Sequence, residues 1–316
     1  MKILSIIKQK LYRKIVRTKW YKHLIDVDKK KALDIFYFQY LGIHINWDNP
    51  RSLNEKIMWL SIYSDTSLWS KYSDKYEVRD YVEKKGFGKY LTKIYGVWDN
   101  INQIDYDALP SSFVIKCTHD SHSTYIIKDK SKLDKTDLNK KLSNHLKELY
   151  GYRYCEPHSN CIRPRIIAEE LLIQEDVSFS STMVDYKFIC VNSKVEYCLV
   201  CYDRSYDDRK PWVMREIYSV NPWRPNYNAM SKLYLNQVFK KQVPEPKNLQ
   251  TMIQMAEKLS IGFPVVRVDL YNDNGRIYFG ELTFTPAGGR MTCFSDDVQL
   301  ELGNKISVRT EANTTS

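Results

Sequence analysis

The sequence predicts an α+β fold, and three observations carry that expectation. Phe263 to Gly289 reads as a β-hairpin. Apolar, strand-like runs recur at residues 113–128, 163–172 and 182–201, with helical stretches before and between them. The first 70 residues read as helices.

Residues 1–22 form a basic amphipathic helix: Ile3, Leu4, Ile7, Leu11, Ile15 and Trp20 recur at roughly helical spacing, with Lys2, Lys8, Lys10, Arg13, Lys14, Arg17 and Lys19 filling much of the rest. It fits either a membrane surface or docking on its own domain or a partner. Residues 27–63 are helical, with Ala32, Leu33, Ile35, Phe36, Phe38 and Leu41 as the apolar set and a break at Asn49-Pro50. Asp74-Lys75-Tyr76-Glu77 has the form of a capping box, which puts Lys75 in a helix's first turn. Phe113 to Lys116 is a strand ending in a lysine. The polar loop 117–124 follows, and Tyr125 to Lys130 is the return strand. A helix is expected over 135–150, a strand over 163–172 and two strands over Thr182–Val191 and Lys194–Cys201. Residues 203–245, rich in Arg, Trp, Tyr and Pro, read as an irregular insertion. Met252, Met255, Ala256 and Leu259 mark a helix over 246–261, and the chain from Glu301 reads as a polar tail. Composition shifts suggest boundaries near residues 110 and 175.

The net charge of +10 raises nucleic-acid binding, but Lys and Arg run along the whole chain among acids and no zinc spacing or RNA-binding signature appears. An anionic substrate or membrane surface explains the charge as well. Seven cysteines, an odd number mostly inside apolar runs, suit a reducing cytoplasm rather than a disulfide framework. No run approaches the roughly 18 apolar residues of a membrane span, and lysines interrupt the N-terminal apolar run, so it makes a poor signal peptide. His119, Asp120 and His122 lack a recognisable third ligand for catalytic zinc.

The hairpin carries the chemistry. Arg267 and Asp269 share one face of the first strand, and Glu281 and Thr283 share one face of the second. If pairing brings those faces together, two carboxylates and a guanidinium meet, a set suited to Mg²⁺ and phosphate oxygens. The same residues also fit an amphipathic hairpin with its charges outward. The loop Thr285 to Gly289 could turn backbone N–H groups toward an anion.

In order, these blocks resemble the ATP-grasp superfamily, and more narrowly the TupA-like ATP-grasp family of bacterial surface polysaccharide gene clusters. The resemblance spans about residues 50–295. It rests on Ser73 to Arg79, Ser112 to Ser121, Lys128 to Ser131, Pro164 to Glu170, Asp185 to Phe188 and Phe263 to Gly289.

The resemblance implies two α+β lobes clasping ATP: residues 71–175 with the lid, and 176–300 with the metal site. A helical region, 1–70, precedes them, and a tail, 301–316, follows. Lys75 and Lys116 would meet the phosphates beneath the 117–124 lid, with His119 and Ser121 among the nucleotide contacts. Glu169, Glu170 and Leu172 would lie at the adenine, and Glu175 or Asp176 at the ribose. Asp269 and Glu281, with Thr283, would hold Mg²⁺. Arg267 and Lys187 would be catalytic. Thr283 stands where many ATP-grasp enzymes have asparagine, His122 stands in a loop that relatives often make glycine-rich, and no Rossmann-like N-terminal lobe is evident.

The implied activity is a cytoplasmic, Mg-ATP-dependent carboxylate–amine ligase of polysaccharide biosynthesis, acting through an acyl phosphate. Its partners would be ATP, a carboxylate-bearing sugar or amino acid, an amine acceptor and a membrane or lipid-linked glycan. The alternatives are a sugar or polyol kinase on the same ATP site, or a glycosyltransferase. For the latter, Asp203 and Asp207-Asp208 lack the strand context of a nucleotide-sugar site.

Overall fold

The computed structural model describes residues 2–175, 177–205, 212–235 and 242–308. The N-terminal helices are α1 (Lys2–Ile15), α2 (Lys19–Val27), α3 (Lys29–Leu41), α4 (Leu53–Tyr63), α5 (Ser67–Ser73) and α6 (Val78–Lys84). Thr18 caps α2 by accepting from the Tyr21 N–H, and Asp28 caps α3 through the Lys31 N–H. Ser52 and Glu55 form the reciprocal capping box that opens α4.

A four-stranded antiparallel sheet follows. Its strands are β1 (Ile94–Trp98), β2 (Phe113–Cys117), β3 (Tyr125–Ile127) and β4 (Ile166–Glu169), in the order β1-β4-β2-β3. Between β3 and β4 lie α7 (Lys135–Lys147) and α8 (Tyr150–Tyr154). Leu138 and Leu142 of α7 are buried beneath Phe113 and Ile115 of β2.

The second sheet has six antiparallel strands: β5 (Asp185–Val191), β6 (Lys194–Ser205), β7 (Trp212–Val220), β8 (Trp223–Pro225), β9 (Val265–Asp273) and β10 (Arg276–Thr283). Their order is β10-β9-β5-β6-β7-β8. The helices of this part are α9 (Lys232–Leu235), α10 (Leu249–Leu259) and α11 (Asp296–Lys305). The expected stripe of α10, Met252, Met255, Ala256 and Leu259, is fully buried in one core with Phe188, Val268 and Leu270. The sheet's other face is therefore left for the site.

Four sequence expectations change. The insertion at 203–245 contributes β7 and β8, which extend the sheet; their apolar residues Ile217 and Tyr218 alternate too weakly with polar ones to stand out. The strand expected over 163–172 is ordered only over Ile166–Glu169, where it pairs with β1 and β2. The chain from Glu301 begins inside α11, with Leu302 and Ile306 buried. Asp203 lies within β6, at an irregularity where its φ is 46°.

The capping box at Asp74–Glu77 is half formed. Asp74 accepts from the N–H groups of Tyr76 and Glu77 at 2.7 and 3.2 Å, shaping a turn before α6. Glu77 does not reach back. Arg165 takes it at 2.7 Å, together with Asp74 at 2.9 Å, so a salt bridge wins over the cap.

Candidate functional site

A cavity of about 1470 Å³ opens between the two sheets. From the first part of the chain, Lys75, Lys116, Ser121, Glu169, Glu170 and Leu172 line it; from the second come Lys187, Asp269 and Glu281. Nine of the thirteen residues singled out from sequence thus meet around one space.

Strand register explains the first set. Lys116 pairs with Ile167 and Val114 with Glu169, so the alternation of β2 and β4 puts Lys116 and Glu169 on one face. Their side chains form a salt bridge there, and Glu169 also accepts from the Thr92 hydroxyl at 3.3 Å. The Lys75 ammonium donates to the Asp120 carbonyl of the loop above. Burial pushes its pKa down, against the pull of Glu281 and Asp120.

The second set depends on one extra residue. Leu270 pairs with Phe279, yet Asp269 pairs with Glu281 and Arg267 with Thr283. Gly280 is the bulge between them. Were Gly280 paired with Asp269 in a regular ladder, Glu281 would stand opposite Val268 and point into the core. A Cβ at Gly280 would come within 3.0 Å of the Asp269 carbonyl oxygen.

Arg267 holds Asp269 through two bonds of 2.6 Å, one from Nε and one from Nη2. Nη2 also donates to Glu281 at 2.8 Å and to the Thr283 hydroxyl at 3.0 Å. Lys187 stands opposite Asp269 on β5 and bridges it to Asp185, at 2.6 Å from the latter. Burial opposes the Lys187 charge, but Asp185 and Asp269 outweigh it and hold its pKa above the ordinary lysine value. Burial likewise opposes the Glu281 charge, yet Arg267, Lys187 and Lys75 pull its pKa down to about 2. Burial pushes the Asp269 carboxyl up against Arg267 and Lys187.

Three expected residues are off the cavity wall, and a fourth falls outside the described residues. Arg267 and Thr283 are not at the cavity wall. Thr283 donates to Glu281 at 3.0 Å, which orients that carboxylate. His119 is buried behind the loop, its ring nitrogen 3.3 Å from the Glu148 carbonyl, because apolar packing and that acceptor hold it there. Asp176 lies outside the described residues; its neighbour Glu175 pairs with Arg276.

The loop after β10 also differs from expectation. Ala287, Gly288 and Gly289 all have positive φ, and the N–H groups of Gly288 and Gly289 bond back to Thr285 and Pro286. Those two donors are spent within the turn rather than offered to an anion.

The structure adds residues that sequence reasoning missed. Arg79 lines the cavity four residues after Lys75, and Tyr271 continues the alternation of Arg267 and Asp269; both spacings were readable. Arg204, which the sequence left open between reaching the site and capping a strand, lines it too and reaches Asp185 at 3.4 Å. Arg215 arrives on β7, whose existence the sequence hid. Glu156 lies beside Thr285, and burial pushes its carboxyl up to about 7.

Among the described residues no group of three His, Cys, Asp or Glu could enclose a metal ion. Two opposed carboxylates beside a cationic cavity still fit Mg²⁺, which is commonly bound by one or two carboxylates together with substrate phosphates and waters.

The two antiparallel sheets and the charged cavity between them belong to an ATP-grasp protein, as the match to a family model shows. The chain belongs to the TupA-like ATP-grasp family, whose family model matches residues 55–307. Among solved structures it is similar to ATP-grasp ligase PsnB complexed with minimal precursor, Mg and ADP. That match has 12% identity and a TM-score of 0.36, covering 83% of this chain and 64% of that one. It is also similar to D-alanine–D-alanine ligase from Bacillus anthracis, with 11% identity and a TM-score of 0.40, covering 77% of this chain and 70% of that one. No curated protein matches the chain.

Proposed function

We propose that the protein is a Mg-ATP-dependent carboxylate–amine ligase, ADP-forming, that works in the cytoplasm on bacterial surface polysaccharide. The observation that carries the reading is the Asp269–Glu281 pair facing Lys75 and Lys116 across one cavity. In this reading residues 71–175 and 176–300 are the two clasping lobes, with 1–70 a helical preface and α11 carrying the second lobe past residue 300.

Lys75 and Lys116 neutralise the polyphosphate. Glu169, Glu170 and Leu172 hold the base, with Asp176 or Glu175 at the ribose and Ser121 under the lid. Bound Mg²⁺, held by Asp269 and Glu281, supplies charge neutralisation between phosphates. Thr283 positions Glu281 rather than ligating directly. Lys187 stabilises charge on the transferring phosphoryl group and on the acyl phosphate oxygens, while Arg267, behind the wall, holds Asp269 and Glu281 in place. An amine then attacks the acyl carbon, and phosphate leaves. The 117–124 loop excludes water meanwhile.

Thermal unfolding with Mg-ATP and with a panel of UDP-sugars, in wild type and Asp269→Asn, tests this. Ligand at about 100 times Kd adds roughly 2.7 kcal/mol. A shift with Mg-ATP that disappears in Asp269→Asn is expected. A shift with a UDP-sugar alone replaces the ligase by a glycosyltransferase. ADP release driven by a sugar hydroxyl, with no amine needed, replaces it by a kinase.

A further inference from the structure

We infer that α1 is a docking surface for an anionic lipid bilayer. The helix has two faces. Tyr12, Ile15 and Val16 pack inward on the helical core of α2 and α3, with the Tyr12 ring edge-on to Phe38 at 5.2 Å. Gln9 donates to the Phe38 carbonyl at 3.5 Å, and Lys8 lies over the Phe38 ring at 4.7 Å. That inner stripe fixes how α1 lies on the body. The opposite face carries Ile7 and Leu11, four residues apart and 59% and 55% exposed, beside Ile6 at 51%. A folded body has no use for three large aliphatic side chains held in water on one helix.

The charge around them is one-sided. Residues 1–25 hold eight of the 48 Lys and Arg and none of the 38 Asp and Glu, so they carry +8 of the net +10. The rest of the chain is nearly balanced. Lys10, Arg13, Lys14, Arg17, Lys19 and Lys22 are all exposed, and among the described residues none has a carboxylate partner. On an ideal helix Lys14 and Lys10 lie about 20° and 60° to one side of Ile7, where long stems can follow the apolar residues down while the ammonium groups stay at the headgroups. Trp20, 52% exposed, opens α2.

Other occupants fit less well. A second copy would bring +8 against +8. A nucleic acid would use the cations and leave Ile6, Ile7 and Leu11 in water. A bilayer containing acidic lipids satisfies both, since apolar burial and attraction to the headgroups act together.

The placement bears on the catalytic cavity. The core beneath α1 includes Met58 and Cys155. Met58 abuts Gly289, and Arg290 stacks on Phe36 and Tyr40 of α3 at 4.6 and 3.7 Å. The membrane-facing layer is thus also the wall behind the turn that follows β10.

The experiment is co-sedimentation of the full chain with vesicles of phosphatidylcholine alone or mixed with phosphatidylglycerol. Binding to the mixed vesicles only, weakening in high salt, is expected. Ile7→Asp with Leu11→Asp should lower partitioning at least tenfold, and so should Lys10→Glu with Lys14→Glu. These side chains are exposed, so the melting temperature and Mg-ATP binding should stay unchanged, which separates this test from that of the ligase reading. Binding to neither vesicle, equal binding to both, or binding that survives the aspartate pair would overturn the inference. So would salt-sensitive binding to RNA or to an acidic polypeptide without any to vesicles.

Discussion

Asp269 and Glu281 stand directly opposite one another in the β9–β10 ladder, and Gly280 is what brings them there. The bulge shifts the second strand by one residue, which exchanges its two faces. Phe279 and Leu282 both stay buried on either side of it while Glu281 turns to the cavity. Deleting Gly280 would leave Glu281 opposite Asp269 in a regular ladder, so Mg-ATP binding should survive the deletion. Gly280→Ala instead crowds the bulge: its Cβ would meet the Asp269 carbonyl at 3.0 Å and the Tyr271 ring at 3.2 Å. Overpacking of that kind costs about 1–3 kcal/mol. Calorimetric titration with Mg-ATP should show a weakening of about tenfold in the alanine variant. Unchanged affinity in the alanine variant, or loss of binding in the deletion, would mean that the bulge does not act through the Asp269–Glu281 pair.

Lys187 is the cation between two buried acids, Asp185 and Asp269. Lys187→Met removes it and leaves both carboxylates less compensated. Breaking a buried pair costs about 3–5 kcal/mol; Arg267 still holds Asp269 and Arg204 still reaches Asp185, so the lower end is expected. If Asp269 is a metal ligand, Mg²⁺ should restore part of that stability. Urea unfolding with and without magnesium chloride reads both effects, and a variant that magnesium does not help would count against the metal assignment.

The hairpin was legible because its signals are local. Asn274 and Gly275 both adopt positive φ in the turn, at 51° and 94°, which their residue types favour. Lys116 and Glu169 were legible as ends of apolar runs. The bulge was not: a lone glycine in a strand permits a bulge without specifying one. β7 was missed because Trp, Met, Arg and Glu alternate there without a clear apolar face. His119 was misplaced because a polar loop sequence does not say which of its side chains turns inward. Glu156 carried no signal, since its neighbourhood is made by a loop some 130 residues later in the chain.

Six of the seven cysteines are buried and Cys161 is exposed. Burial holds Cys117, Cys155, Cys190 and Cys293 up at about 12, far from the thiolate that reacts. Titration of the native protein with a thiol reagent should show one fast-reacting group, and all seven after denaturation. Cys198 and Cys201, both buried in β6, should be silent until unfolding. Their rapid joint oxidation in the native protein would instead favour a redox role.

Glu156 sits beside the buried Thr285 hydroxyl, and burial raises its carboxyl to about 7 from an ordinary 4.5, against the pull of Thr285 and Arg290. An acid whose folded pKa is raised binds its proton in the fold while the unfolded chain has lost it. The stability it contributes is therefore complete below about pH 4.5 and is lost as pH rises through about 7. Glu156→Gln removes this titration and leaves that of Glu281 and Asp269 in place, so their contributions largely cancel between variant and wild type. The glutamine variant should match wild type near pH 5 and exceed it by about 1–2 kcal/mol near pH 8, a figure reduced for the carboxyl's residual contact with solvent. Urea unfolding at the two pH values measures the difference. The same gap at both would show that the carboxyl titrates normally.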